Sequence, residues 1–260
     1  VNTHNGAQMY RLHGGSQLIA IRAAATLGHR VRLSSPVRDI EQTGNGVAVS
    51  GDGYTVHAER VIVAIPPTLA SRIDYRPALP ALRDQLTQRM PMGTVIKVQC
   101  VYDEPFWRAD GLAGQATSDT GPVKVTFDNS PPDATANRGP GVLMGFIEGS
   151  EGRRALSTTH AERRHGVIES FARYYGPKAR KPVAYVEKSW AAEPWTRGCY
   201  AGYFGPGVWT DFGRALRAPV GRIHWAGTET ATVWTGYMDG AVRSGERAAA
   251  EVREALRQRR

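Results

Sequence analysis

Residues 61–65, Val-Ile-Val-Ala-Ile, form an unbroken apolar run that stops at Pro66-Pro67. A run this short and this continuous predicts a strand buried on both faces. Around it the chain alternates strand and helix signals. Gly14-Gly15-Ser16 opens a helix with Ser16 as N-cap, Leu18, Ile19 and Ile21 as its apolar face and Gly28 at its end. Val31 and Leu33 alternate with arginines, as in a short strand. The pairs Val37 and Ile40, Val47 and Val49, and Tyr54 and Val56 are punctuated by Gly44, Gly46, Gly51 and Gly53, which predicts a β-meander.

Further along, residues 79–90 carry a helical pattern and residues 94–101 a β-rich one that contains Lys97. Thr159 and Glu162 have the spacing of a capping box, opening a helix with Val167, Ile168, Phe171 and Tyr175 on one face. Gly176-Pro177 ends it. Residues 223–226 read as a short strand before a Gly/Thr-rich turn, and a last helix starts near Met238 and runs to about Leu256. This order fits an α/β or mixed α+β protein whose elements alternate between two bodies.

Composition removes several classes. Of 260 residues, 41% are hydrophobic and 22% charged, unlike a disordered or fibrous chain. No apolar stretch reaches the roughly 18 residues of a transmembrane helix. The formal charge is +9, and all but five of the 33 basic residues are Arg. These charges are scattered among acidic residues, so a solvated Arg-rich surface is expected rather than nucleic-acid binding. Cys100 and Cys199 form no CxxC, and no His cluster stands at ligand spacing, so neither a disulfide scaffold nor a metal site is expected. A reducing compartment, the cytoplasm, follows as the default, with each cysteine a buried hydrophobe or a reactive thiol.

Residues 226–241, AGTETATVWTGYMDGA, place a small-residue turn between a strand and a helix. Small residues let backbone approach a ligand closely, and free N–H groups at a helix start favour negative charge. This stretch resembles the carboxy-terminal flavin-binding signature of the flavin-containing monoamine oxidase family. The resemblance continues, in order, through Val61–Pro67, Pro91–Lys97 with Glu104-Pro105-Phe106-Trp107 behind it, Met144–Ile147, Glu187–Trp190 and Gly198-Cys199-Tyr200.

The family's dinucleotide fingerprint GxGxxG is not found in the sequence. The resemblance therefore implies that the chain corresponds to the carboxy-terminal portion of such an oxidase, with the amino-terminal Rossmann element supplied by a segment outside it. That segment could belong to a second chain; a homo-oligomer is a further possibility. The implied fold is an FAD-binding body interleaved with a substrate-binding body of mixed sheet plus helices. Residues 1–12 and 98–192 would belong to the substrate body, and residues 13–97 and 193–260 to the FAD body.

The resemblance also implies site residues. Lys97 would hold a water against the flavin and aid reaction with oxygen; by pattern alone it also fits an edge-strand lysine facing water. Cys199 would bond covalently to the flavin, although relatives without a cysteine bind flavin non-covalently. Tyr200 and Tyr237 would flank the substrate amine, which aromatic faces attract. Trp190, Val37, Gly227, Thr228, Glu229 and Met238 would contact FAD, with Val37 at the adenine end. Gln8 and Phe146 would line the substrate cavity, and Val125 stands where some relatives carry a bulkier gating residue.

The implied reaction is oxidative deamination of an amine to an imine and then an aldehyde, with oxygen reduced to hydrogen peroxide. Three alternatives stay open: a polyamine or L-amino-acid oxidase of the same superfamily, a flavin-free remnant without catalysis, and a basic nucleic-acid-binding relative. An amino-acid oxidase needs a cation for the substrate carboxylate, usually Arg. A polyamine oxidase needs carboxylates along its tunnel, for which Glu148 and Glu193 are available.

Overall fold

A computed structural model describes residues 10–136 and 138–258. Eleven strands form three sheets among these residues. The first is the meander: β1 (Val37–Gln42), β2 (Val47–Gly51) and β3 (Tyr54–Ala58), extended by β5 (Asp74–Arg76) in the order β3-β2-β1-β5. The second is a parallel pair, β4 (Val61–Val63) with β11 (Ile223–Trp225). The third is five-stranded: β6 (Val95–Tyr102), β7 (Ala116–Thr117), β8 (Val125–Asp128), β9 (Gly141–Glu148) and β10 (Ala184–Ser189), in the order β10-β6-β9-β8-β7.

Seven α-helices accompany them: α1 (Gln17–Leu27), α2 (Pro67–Ala70), α3 (Ala81–Gln88), α4 (Gly149–Ala155), α5 (His160–Tyr175), α6 (Val208–Phe212) and α7 (Met238–Arg257).

The five-stranded sheet has one packed face and one open face, as antiparallel sheets commonly do. Ile96, Val98 and Cys100 of β6 and Leu143 and Ile147 of β9 pack with Val167, Phe171 and Tyr175 of α5. Trp107 is fully buried in the same core. Truncating a residue such as Phe171 to alanine would cost about 3–5 kcal/mol, because the cavity could not collapse. The capping box that starts α5 is present, with Thr159 Oγ1 accepting from Glu162 N–H at 3.2 Å and Thr159 N–H donating to the Glu162 carboxylate at 2.7 Å.

A second core joins the other two sheets, with Ile40 and Tyr75 packed against Val63, Ile223 and Trp225. Helix α7 crosses behind β11. Its buried residues are the small Gly240, Ser244 and Ala248, which lets the helix come close. Arg247 donates to the Trp225 carbonyl at 2.7 Å, and Ser244 Oγ accepts the Gly227 N–H at 3.0 Å.

The meander, the α5 cap, β11 and α7 stand where the sequence pattern predicts them. Three expectations need correction. Residues 31–34 are loop rather than strand, because Leu33 finds no partner surface and is left exposed. The 61–65 run is strand only at 61–63 and is not buried on both faces; Ile62 and Ile65 are 36% and 40% exposed. Helix α1 forms between Ser16 and Gly28 as expected, yet none of its residues is buried and Ser16 makes no side-chain cap. In each case the apolar residues are present but nothing among the described residues covers them.

Candidate active site

The open face of the five-stranded sheet carries the residues of interest, because register puts them there. Lys97 on β6 lies opposite Phe146 on β9, which in turn lies opposite Val125 on β8. On the other side Lys97 faces Lys188 of β10. Strand β6 therefore lies inside the sheet, between β10 and β9, and Lys97 is not an edge lysine. It is half-buried, its ammonium 5.9 Å from the Phe146 ring centroid.

Burial pulls the Lys97 ammonium below the usual lysine range, with Cys199 opposing the shift. Burial likewise pushes the Cys199 thiol up, with Lys97 opposing. Lys97 and Cys199, both half-buried, are thus close enough to bias each other's charge.

Cys199 and Tyr200 reach this face through a backbone clasp. Cys199 N–H donates to the Gly93 carbonyl at 2.9 Å, and Gly93 N–H donates to the Ala201 carbonyl at 3.2 Å. Met92 and Gly202 form a bridge beside them. A Cβ on Gly93 would lie 2.2 Å from the Cys199 carbonyl oxygen, so only glycine permits this approach. Gly93 thus decides where Cys199 sits relative to the lysine strand that follows it. The sequence reading quoted it within a motif without giving it a role, and no local pattern separates such a glycine from a turn glycine.

The Tyr200 ring packs against Phe146 at 6.0 Å between centroids and is 57% exposed. Its hydroxyl donates to the Glu148 carboxylate at 3.1 Å. Burial raises the phenol above the ordinary tyrosine range, and the Glu148 charge and hydrogen bond push the same way. Phe127 extends the aromatic row behind Phe146.

Other residues named from the sequence lie elsewhere. Tyr237 precedes α7, with its ring against Trp234 rather than Tyr200. Thr228 Oγ1 donates to the Tyr237 carbonyl at 2.9 Å and accepts the Gly236 N–H at 2.7 Å, tying the 227–237 turn together. Gly227 has φ +110°, a conformation side chains rarely adopt. Glu229 is buried and accepts the Gly202 N–H at 2.9 Å, linking this turn to the segment after Tyr200. Met238, exposed, opens α7, and no side chain caps that helix start.

Trp190 lies under the Lys188 ammonium, 5.8 Å from its ring centroid, and Lys188 pairs with Glu193. Val37, at the start of β1, lines a largely apolar cleft of about 510 Å³ with Pro36, Val63, Ile65, Trp195 and Arg197. Gln8 lies outside the described residues.

The flavin containing amine oxidoreductase family matches residues 2–253. The chain belongs to that family.

A probable flavin-containing monoamine oxidase A of Dictyostelium discoideum is 48% identical over 255 residues, covering 97% of this chain and 55% of that protein. An L-amino acid dehydrogenase of Synechocystis is 47% identical, covering 92% of this chain and 50% of that protein. Wild-type putrescine oxidase bound to putrescine superposes with a TM-score of 0.87 at 40% identity, covering 92% of this chain and 53% of that one. Cyclohexylamine oxidase from Brevibacterium oxydans gives 0.86 at 36% identity, covering 94% and 53%. This family member therefore spans about half the length of the relatives it matches.

The residues present fit the ring of a flavin. The uncapped start of α7 offers free N–H groups to an anionic edge. A Cβ on Gly240 would meet the Trp234 carbonyl at 2.1 Å, so the turn before the helix is pressed directly onto it. Lys97 and the half-buried Cys199 supply a cation and a thiol.

Proposed function

We propose that this chain forms the amine-binding half and part of the FAD-binding half of a flavin-dependent amine oxidase, completed by a polypeptide that carries GxGxxG. The reading rests above all on one observation, the convergence of Lys97, Phe146, Cys199 and Tyr200 on one open sheet face in a member of this family. Held by these residues, a flavin would supply the two-electron redox chemistry that links oxidation of an amine to an imine, hydrolysed to an aldehyde, with reduction of oxygen to hydrogen peroxide.

The chain's own residues bind and orient. Tyr200 presents an aromatic face to the amine, and Tyr237, on the turn that Glu229 ties to the segment after Tyr200, supplies the second. Phe146 and Val125 shape the cavity, and the small Val125 widens it. Lys97 holds positive charge, or a water oriented by it, where oxygen is reduced. Cys199 is the point of covalent attachment. Gly227, Thr228, Glu229, Met238 and Trp190 hold the flavin, and Val37 receives the adenine end. In this reading residues 13–97 and 193–260 make the FAD body, and residues 1–12 and 98–192 the substrate body. Two free cysteines are consistent with a cytoplasmic setting.

Oxygen uptake and peroxide formation by the chain, assembled with a GxGxxG-bearing segment and FAD, test the reading. Turnover of primary amines but not of L-amino acids is expected. Turnover of L-amino acids alone would assign the site to their oxidation instead, and no flavin-dependent turnover of either would overturn the reading.

A further inference from the structure

Arg83, in the first turn of α3, is a cation that the fold buries without a counter-charge. It is 3% exposed, and its guanidinium carbon lies 3.7 Å from the Trp225 ring centroid. Nη1 donates to the carbonyls of Ala215 at 3.0 Å and Leu216 at 2.7 Å. Those two bonds occupy one nitrogen. Nε is buried with no partner, Nη2 donates to nothing among the described residues, and no ion pair forms there. A charge withdrawn from water is costly unless it is paired, so an anion arriving beside it is favoured. Burial pulls the guanidinium down to about 10, against a smaller opposing effect of Tyr75, which records the same cost.

Arg83 lines a cleft of about 380 Å³. Leu82, Pro219 and Val220 give the cleft an apolar wall, and Arg214 adds a second cation, exposed and without an ion pair among the described residues. Pro80, also in the wall, is the N-cap residue of α3, and no side chain caps that helix end. The positive end of the helix therefore adds to the two arginines. No carboxylate lines the cleft. None of its residues belongs to the five-stranded sheet or to the 227–238 turn, so it is separate from the candidate active site.

We infer that this cleft is an anion site for a carboxylate that carries a short apolar chain. The carboxylate accepts from Arg83 Nη2 and from Arg214, and the chain lies along Leu82, Pro219 and Val220. Guanidinium groups suit carboxylates in geometry as well as charge. Through Arg83 the occupant is joined to Trp225, two residues before Gly227. The inference does not depend on the flavin reading, because no residue of the amine site takes part.

The test is calorimetric titration of the 260-residue chain with butyrate, its neutral counterpart butyramide, and inorganic phosphate. Butyrate is expected to bind about tenfold more tightly than butyramide, which lacks the charge, and than phosphate, which lacks the chain. Arg214→Gln changes an exposed residue, so it should keep the melting temperature and weaken butyrate about three- to fivefold at low salt, leaving butyramide unchanged. Arg83→Met is expected to weaken butyrate at least tenfold. Because Arg83 is buried, its melting curve is read first, and Arg214→Gln decides the point if Arg83→Met does not fold. No butyrate binding, equal binding of butyrate and butyramide, or unchanged butyrate affinity in Arg214→Gln overturns the site. Phosphate binding as tight as that of butyrate overturns the part given to the apolar wall and, with it, the assignment to a carboxylate.

Discussion

Lys97 shows how one side chain acquires chemistry from its surroundings. Its place on an interior strand removes part of its water, and the neighbouring thiol returns little stabilisation, so its ammonium is held below the usual range. A cation in such a place favours the anionic state through which oxygen must pass, since local charge acts strongly where solvent is scarce. Lys97→Met keeps the apolar stem and is expected to slow flavin reoxidation about a hundredfold, as loss of one stabilising group in such a site does, while sparing amine-driven reduction. Stopped-flow traces of the two half-reactions separate these outcomes, and equal loss in both would assign Lys97 a structural role. Cys199 makes a second prediction at this scale. Flavin fluorescence should migrate with the chain on a denaturing gel, disappear in Cys199→Ala and persist in Cys100→Ala. Cys100 is fully buried and its thiol is pushed up to about 11 by burial, so it is inert.

Elements convert these residues into a site, and two contacts show how. Gly93 sets the distance between the lysine strand β6 and the segment holding Cys199 and Tyr200. Gly93→Ala must displace one of them, so it should lower the melting temperature, destabilise by roughly 1–3 kcal/mol and abolish flavin attachment together. Loss of attachment with unchanged stability would mean that the clasp is looser than the contact implies.

Asp128, ending β8, accepts hydrogen bonds from Trp107 at 2.9 Å and Arg108 at 2.7 Å, locking the 106–108 turn onto the sheet. Burial pushes its carboxyl up, but the bonds from Arg108, Ser130 and Trp107 together outweigh burial and hold it below the usual range. A depressed carboxyl stabilises the fold above the pKa of the unfolded chain and loses that contribution as pH falls through the folded value. Asp128→Asn should therefore cost stability near neutral pH and flatten the loss seen on acidification below about pH 4. Denaturant midpoints across that range measure it, and parallel curves for variant and wild type would contradict it.

Across the whole molecule, apolar surface is distributed unevenly. The core under the five-stranded sheet is closed by α5, whereas α1 buries nothing, and Ile62 of β4 and Ile65 beyond it face solvent. Exposed apolar faces of this kind mark surfaces that another layer covers. The isolated chain is accordingly expected to bind FAD poorly and to gain affinity when a GxGxxG-bearing polypeptide is added. The pyrophosphate of such a cofactor rests on a glycine-rich turn and helix start that this sequence does not contain. Stoichiometric FAD on the purified 260-residue chain would contradict this. Among the described residues no helix is long and apolar enough to cross a membrane.

Local pattern determined the elements whose cause is itself local. The α5 capping box, the glycine-punctuated meander and the Gly/Thr turn before α7 are each set by residues within a few positions of one another, and all are legible before any fold is known. The order of motifs likewise carried the family. What lay beyond the sequence was anything decided by a partner surface. Whether residues 31–34 or 61–65 become buried strand depends on a second layer, because an apolar run records only a capacity for burial. The approach of Gly93 to Cys199, and the meeting of Glu148 with Tyr200 across 52 residues of chain, are products of register and packing. Tertiary structure alone decided them, since the distance between residues far apart in sequence is fixed by how sheets and loops stack.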